Sequence, residues 1–148
     1  MDVFTDLHEH FLLEITLAQI KTQSKINSNI EFYLVNMLSD LHLSQKPLFD
    51  HFEQAINGNN RLLSAKALGD EALIISSIFP EFAKRRGRSI DYCMDMGKRG
   101  YSMAAEIFRK EYRDQHFADL YTEMSVEFGT LRYVLSKTVD IFNVDKAP

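Results

Sequence analysis

Cysteine, tryptophan, proline and glycine are scarce in this chain of 148 residues, which holds one Cys, no Trp, three Pro and six Gly. The single cysteine, Cys93, has no partner for an internal disulfide, which favours a reducing compartment. No apolar run approaches the ~20 residues that a membrane-spanning helix needs. The N-terminus is acidic where a secretory signal would be basic, so we expect a cytoplasmic protein.

Apolar residues make up 45% of the chain, which fits an ordinary globular core. The length predicts one domain over residues 1–148. Apolar positions recur at helical spacing, and no strand-like alternation of useful length is present. The sequence therefore predicts an all-α fold, a compact bundle of five or six mostly antiparallel helices. The helix over about residues 60–79 is apolar almost all round, which is typical of a central helix.

Caps and helix breakers predict the boundaries of the other helices. We predict these helices over about residues 3–22, 28–41, 47–56, 89–112 and 116–142. Ser28 and Glu31 form a capping box that predicts the start of the second of them. Ser89 is the predicted N-cap of the helix that ends near residue 112, and Pro80 is predicted to end the central helix.

Charge is distributed unevenly along the chain. Residues 1–74 carry ten acidic and five basic side chains, whereas residues 84–113 carry nine basic and four acidic ones. This asymmetry favours either an acidic partner or pairing of the chain with itself. The candidate contacts for a partner or a phosphate are Lys84, Arg85, Arg86, Arg88 and Arg99. No nucleic-acid-binding motif accompanies them, so nucleic-acid binding is an alternative interpretation.

Glu71 stands out because helical spacing surrounds it with isoleucine and alanine side chains of the central helix. A buried, unpaired carboxylate is costly, so Glu71 is expected to find a cation or donor, or to hold its proton. An arginine from residues 84–113 is the structural partner that we expect. One alternative is a small-molecule pocket in which Glu71 and Tyr92 or Tyr101 make the polar contacts. Exposure of Glu71 on an outer face is the other.

Two acid–base pairs have the i,i+4 spacing of helical ion pairs. Lys66 and Asp70 lie on the narrow polar stripe of the central helix, and Asp95 and Arg99 lie on the solvated face of the next one.

The glycines of these two helices lie towards their apolar sides. Because each costs about 1 kcal/mol against alanine inside a helix, they indicate the close approach of another backbone, and a flat ligand is the alternative interpretation.

Two apolar patches lie outside the predicted core. Leu13, Leu17 and Ile20 form a second stripe on the first helix, which indicates either a central position in the fold or an oligomer contact. Val126 and Tyr133, seven residues apart, point away from the core stripe of the last helix. We interpret these five residues as a self-association surface of a homo-oligomer, such as a homodimer.

Motifs that carry chemistry are missing. The sequence holds no Gly-x-Ser-x-Gly, no P-loop and no glycine-rich nucleotide loop. His10 lies on a ridge with Asp6 and Glu14, but one imidazole and two spaced carboxylates are a weak metal signal. We assign no catalytic residue and expect no metal or cofactor. An enzyme is the less favoured interpretation.

Three segments resemble those of a group of uncharacterised bacterial helical proteins. They are EFYLVNMLSD at 31–40, LGDEALIISSIFPE at 68–81 and IDYCMDMGKRGY at 90–101. The resemblance implies a bacterial source. It carries no activity and no catalytic residue, because none is attached to that group.

The sequence thus favours a non-catalytic cytoplasmic binding or adaptor protein that acts through helix-surface protein contacts and self-associates. One alternative is a small-molecule-binding protein with a pocket around Glu71. Another is nucleic-acid binding through residues 84–113.

Overall fold

A computed structural model describes residues 3–44 and 60–138 of the chain. Over these ranges it holds seven α-helices, one π-helical segment and no strand, which confirms the all-α prediction. The helices are α1 Val3–Thr22, α2 Ser28–Ser44, α3 Arg61–Ser77, α4 Pro80–Arg85, α5 Ile90–Ile107, α6 Gln115–Val126 and α7 Phe128–Ser136, and the π-helical segment Phe108–Tyr112 continues α5. The helix predicted over residues 47–56 lies outside the described residues.

The described helices fall into two compact units. The first contains α1, α2 and the end of α7 from Tyr133 onward. The second contains α3 to α6 and the beginning of α7 up to Arg132. That residues 1–148 form one domain stays a prediction.

In the first unit, α1 and α2 run antiparallel. His8 Nε2 lies 2.6 Å from Asn36 Oδ1, and Gln19 donates to Glu31 Oε2 over 2.6 Å. Rising residue numbers on α1 therefore meet falling numbers on α2. The buried apolar residues of both helices recur at helical spacing: Phe11, Ile15 and Ala18 on α1, and Ile30, Leu34 and Leu38 on α2.

The predicted capping box of α2 is wrong, although the predicted position of the helix start is right. Asn27 caps the helix, because its Oδ1 accepts from the N–H of Asn29 over 2.8 Å. Ser28 is already the first helical residue, and the carboxylate of Glu31 accepts from Gln19 instead of closing a box. The Glu31 carboxylate, which the capping box would place at the start of α2, is thus hydrogen-bonded to Gln19 of α1 instead.

In the second unit, α5 packs against α3, α4 and α6. Gly100 lies against Ala65 and Gly69, and Gly97 lies against Ala72, so α3 and α5 run antiparallel in close contact. The glycine positions thus confirm the predicted helix contact.

The middle and end of α3 are buried without interruption from Gly69 to Ser77. This burial confirms the central apolar helix, and Asn60 caps it by accepting from the N–H of Leu63. Pro80 follows the end of α3, as predicted, but it also starts the short α4. Its fixed φ and missing N–H suit a first helical turn.

The last predicted helix, over residues 116–142, is divided. α6 ends at Val126, Glu127 adopts φ −90° and ψ 12°, and α7 begins at Phe128. Residues 139–142 lie outside the described part. Because of this break, Val126 and Tyr133 belong to two different helices.

Candidate functional site

The predicted ion pair between Lys66 and Asp70 is present, with Nζ 2.9 Å from Oδ2. Asp70 is nevertheless buried, at 9% exposure, and its other carboxylate oxygen accepts a hydrogen bond from the Tyr101 hydroxyl over 2.7 Å. Tyr101 itself is fully buried. Gly69 makes room for the ring, since a Cβ at this position would overlap it. Sequence reasoning missed this contact, because it joins residues 31 positions apart.

Glu71 lies on the side of α3 opposite Ala65 and Gly69, which face α5. Its exposure is 6%, and neither carboxylate oxygen accepts a hydrogen bond from a described residue. The arginine partner expected from residues 84–113 makes no hydrogen bond to it. An ionised carboxylate at such a position is costly unless a partner compensates its charge.

The three candidate pocket residues lie in different environments. Glu71 is buried and has no hydrogen-bond partner among the described residues. Tyr92 is exposed near the start of α5, and the Tyr101 hydroxyl donates to Asp70. Neither tyrosine hydrogen-bonds to Glu71. Of the three, Glu71 alone retains unused hydrogen-bonding capacity in a buried position.

The basic residues at the end of α4 are exposed. Lys84 lies 3.7 Å from Glu81, and the Arg86 guanidinium stands over the ring of Phe82 at 5.2 Å from its centroid. Ion pairs between exposed side chains contribute roughly 0–1 kcal/mol. Lys84, Arg85 and Arg86 therefore leave a cationic surface that faces solvent.

The remaining basic candidates differ from these three. Arg99 pairs with Asp95 at 3.2 Å, as the i,i+4 spacing predicted. Arg88 is half-buried, and its charge acts on the nearby Cys93. Burial raises the pKa of the Cys93 thiol, and the Arg88 guanidinium partly opposes that rise. Arg88 is thus tied to the interior, whereas Lys84, Arg85 and Arg86 are exposed.

The second apolar stripe of α1 is exposed. Leu13 is 56% exposed, Leu17 41% and Ile20 68%, whereas Phe11 and Ile15 on the other side of the helix are fully buried. The sequence left two interpretations of this stripe open, and its exposure favours an interaction surface over a central position.

Val126 and Tyr133 are also exposed, as the sequence suggested. They do not share one helix face, because the break at Glu127 separates α6 from α7. Lys137 stands over the Tyr133 ring at 5.6 Å from its centroid.

A groove of about 430 Å³ runs between the end of α5 and α6. Its walls include Glu106, Arg109, Lys110, Thr122, Ser125 and Val126. Arg109 donates to Thr122 over 3.2 Å. The hydrogen bond from Lys110 and the charge of the same residue lower the pKa of Glu106. The polar groups on these walls thus pair with one another, and Ala105 and Val126 add apolar surface to the lining. No sequence signal predicts this groove.

The π-helical segment Phe108–Tyr112 packs against α6 in the second unit. Phe108 stacks on Phe117 and Tyr121, with ring centroids 5.1 and 5.6 Å apart. The segment ends at Arg113, which has a left-handed φ of 51°. The N–H of Asp114 then donates to the Phe108 carbonyl over 2.9 Å.

Residues 3–44 and 60–138 contain no group of three or more His, Cys, Asp or Glu side chains able to hold a metal ion. None of the helices in these ranges combines the length and the apolar character needed to cross a membrane.

Compared with known protein families, curated proteins and solved structures, the chain matches none of them. The resemblance to bacterial helical proteins therefore stays a prediction.

Proposed function

We propose that this protein is a non-catalytic cytoplasmic binding or adaptor protein that self-associates through a helix surface. The exposed stripe of Leu13, Leu17 and Ile20 carries the proposal. Scattered exposed apolar residues are normal on a protein surface, but a row of them at helical spacing is typical of a contact face.

The energy available from this stripe is moderate. Burying a Leu or Ile side chain completely contributes about 1.5–3 kcal/mol. The three side chains are already partly covered, so pairing two stripes adds roughly half of that amount for each of six side chains. The total burial free energy of the six side chains is on the order of the lower estimates for the free-energy cost of association. We therefore expect reversible self-association.

Native mass spectrometry and light scattering test this proposal. We expect a mass that is a multiple of the 17.2 kDa chain. Leu17→Glu should convert it to the monomer, because the stripe would then have to bury a charge. Leu63→Glu is the matched control, since Leu63 is exposed on α3 and lies outside the stripe. A wild-type protein that is monomeric at every concentration examined would overturn the proposal.

A second surface suits a partner of opposite charge. We propose that this partner is an acidic protein, because three cations at the end of α4 face solvent: Lys84, Arg85 and Arg86. Nucleic-acid binding through residues 84–113 stays a prediction, and the salt dependence of binding distinguishes it.

Ligand binding at Glu71 is the second candidate function. Its support is the buried carboxyl group that accepts no hydrogen bond from a described residue. A small molecule with an amine or guanidinium group would satisfy both oxygens.

Comparing native and denatured masses of the freshly purified protein tests this candidate. A bound ligand appears as native mass in excess of a whole multiple of the denatured chain mass, and Glu71→Gln should abolish that excess. Glu81→Gln, at an exposed position on α4, is the control. A native mass that is a whole multiple of the denatured mass, with no thermal shift from amine or guanidinium probes, would argue against a ligand.

A further inference from the structure

We propose that α1 pairs with α1 of a second copy of this chain in an antiparallel arrangement centred near residue 15. The inference rests on the proposed self-association and adds to it the identity of the partner surface and the direction of pairing. Apolar spacing and charge along the exposed side of α1 carry it.

Charge divides α1 into an acidic end and a basic end. Asp6 and Glu9 are exposed in the first half of the helix, Lys21 is exposed at its last turn, and Lys25 is exposed just beyond it. The stripe of Leu13, Leu17 and Ile20 lies between these ends. Helical spacing brings Asp6 and Glu9 onto the side of the helix that carries the stripe.

A twofold contact makes residue i meet residue j while j meets i. Leu13 and Leu17 have their midpoint at position 15, and Glu9 and Lys21 share that midpoint. An antiparallel pair centred there sets the leucines of one copy against those of the other. The same register brings the acidic end of each helix beside the basic end of its partner.

Parallel pairing has the opposite electrostatic consequence. It would set the acidic ends side by side and the basic ends side by side, and like charges facing each other weaken an interface. The ends of the helices add to this difference, because each helix carries partial positive charge at its N-terminus and partial negative charge at its C-terminus. Both effects favour the antiparallel direction.

The direction of pairing is tested with a spin label on the cysteine introduced by Asp6→Cys, and Cys93→Ala removes the native thiol. The measured quantity is the distance between the two labels of a dimer. A rise of 1.5 Å per residue separates the two copies of position 6 by about 27 Å along the helix axis in the antiparallel pair. In a parallel pair the labelled positions would lie side by side at about the 8–10 Å distance between packed helices. A long separation is the expected result, and a short one overturns the proposal.

Charge reversal tests the complementarity. Lys21→Glu with Lys25→Glu should weaken the dimer by roughly tenfold at low salt, because both contacts then bring acids together. Adding Asp6→Lys and Glu9→Lys to the same chain should restore it, since the ends become complementary again. Lys98→Glu, exposed on α5, is the control. An unchanged dimer in the first variant, or no recovery in the second, contradicts the proposal.

The two proposals fail in different ways. If the wild-type protein is a monomer, both the proposed self-association and the proposed pairing of α1 are overturned. A dimer that Leu17→Glu does not dissociate uses another surface and overturns the α1 contact. A dimer with closely spaced labels at position 6 keeps self-association and overturns the antiparallel direction alone.

Discussion

At the scale of single residues, Gly100 lies where the backbones of α3 and α5 meet. A Cβ at this position would lie 2.7 Å from the amide nitrogen of Gly69 and 2.8 Å from the carbonyl oxygen of Ala65. These are main-chain atoms of a helix, so they cannot rotate away as the end of a side chain can. An added methyl group must therefore separate the two helices.

We predict that Gly100→Ala lowers the free energy of unfolding by about 1–3 kcal/mol, the usual cost of overpacking. This loss opposes the gain of about 1 kcal/mol that alanine has over glycine in a helix. Gly129→Ala is the matched control, because its Cβ would meet Met94 Cε at an ordinary 3.5 Å. Urea unfolding followed by circular dichroism should separate the two variants. A Gly100→Ala variant that is at least as stable as Gly129→Ala would disprove the close contact.

The second prediction at this scale concerns Cys93. Burial raises the pKa of its thiol above the ordinary value of 9.0, so folding favours the neutral form. The resulting stability is fully present below the unfolded pKa and is lost as pH rises through the folded one.

Between neutral pH and values above 9.0, the wild-type melting temperature should fall more steeply than that of Cys93→Ala. The alanine variant controls for tyrosine and lysine side chains, which titrate over the same alkaline range. Parallel pH profiles of the two proteins would rule out a contribution from Cys93.

Residue pairs within one helix could be predicted from the sequence. The pairs Lys66–Asp70 and Asp95–Arg99 follow from i,i+4 spacing alone. The contact of Tyr101 with Asp70 depends on how closely α3 and α5 approach, which spacing along one helix does not specify. The burial of Asp70 was missed for that reason.

At the scale of elements, Asn27 rather than Ser28 holds the first turn of α2. We predict that Asn27→Ala lowers the free energy of unfolding by about 1 kcal/mol, as the loss of an N-cap does. Ser28→Ala is the control and should change it much less, because no cap depends on the serine. Thermal unfolding of the two variants decides between these residues. A larger loss in Ser28→Ala would restore the capping box.

Helix boundaries were predicted best where a local signal exists. Ser89 accepts from the N–H of Tyr92 over 3.0 Å and begins α5 as predicted. The π-helical segment and the break at Glu127 contain neither proline nor glycine, and the sequence did not predict them. In the π-helical segment, Phe108 stacks on Tyr121 of α6, a contact that local sequence does not record.

At the scale of the whole molecule, the sequence separates acidic from basic segments. We predict that reversing Lys84, Arg85 and Arg86 to Glu weakens binding of an acidic polypeptide, such as polyglutamate, by at least roughly tenfold at low salt. The melting temperature should hardly change, because these side chains are exposed. Arg88 is left intact, since it is half-buried and acts on Cys93.

Titration with polyglutamate and with single-stranded RNA measures this effect, and Lys137→Glu is the control outside the basic segment. Affinity for polyglutamate that the reversal leaves unchanged would contradict the acidic-partner proposal. Binding of RNA alone, with a steep dependence on salt, would favour the nucleic-acid alternative. A variant that loses binding and melting temperature together would show that these residues maintain the fold.

The sequence by itself determined the all-α class, the buried α3, the first helix from Val3 to Thr22 and the ion pairs within helices. These features depend on periodicity and on contacts three or four residues apart, which a linear pattern records. The tertiary structure decided that Asp70 is buried with Tyr101, that Glu71 has no hydrogen-bond partner among the described residues, and that the stripe of α1 is exposed. Each of these facts depends on which helix faces meet and how closely, and only packing in three dimensions fixes that.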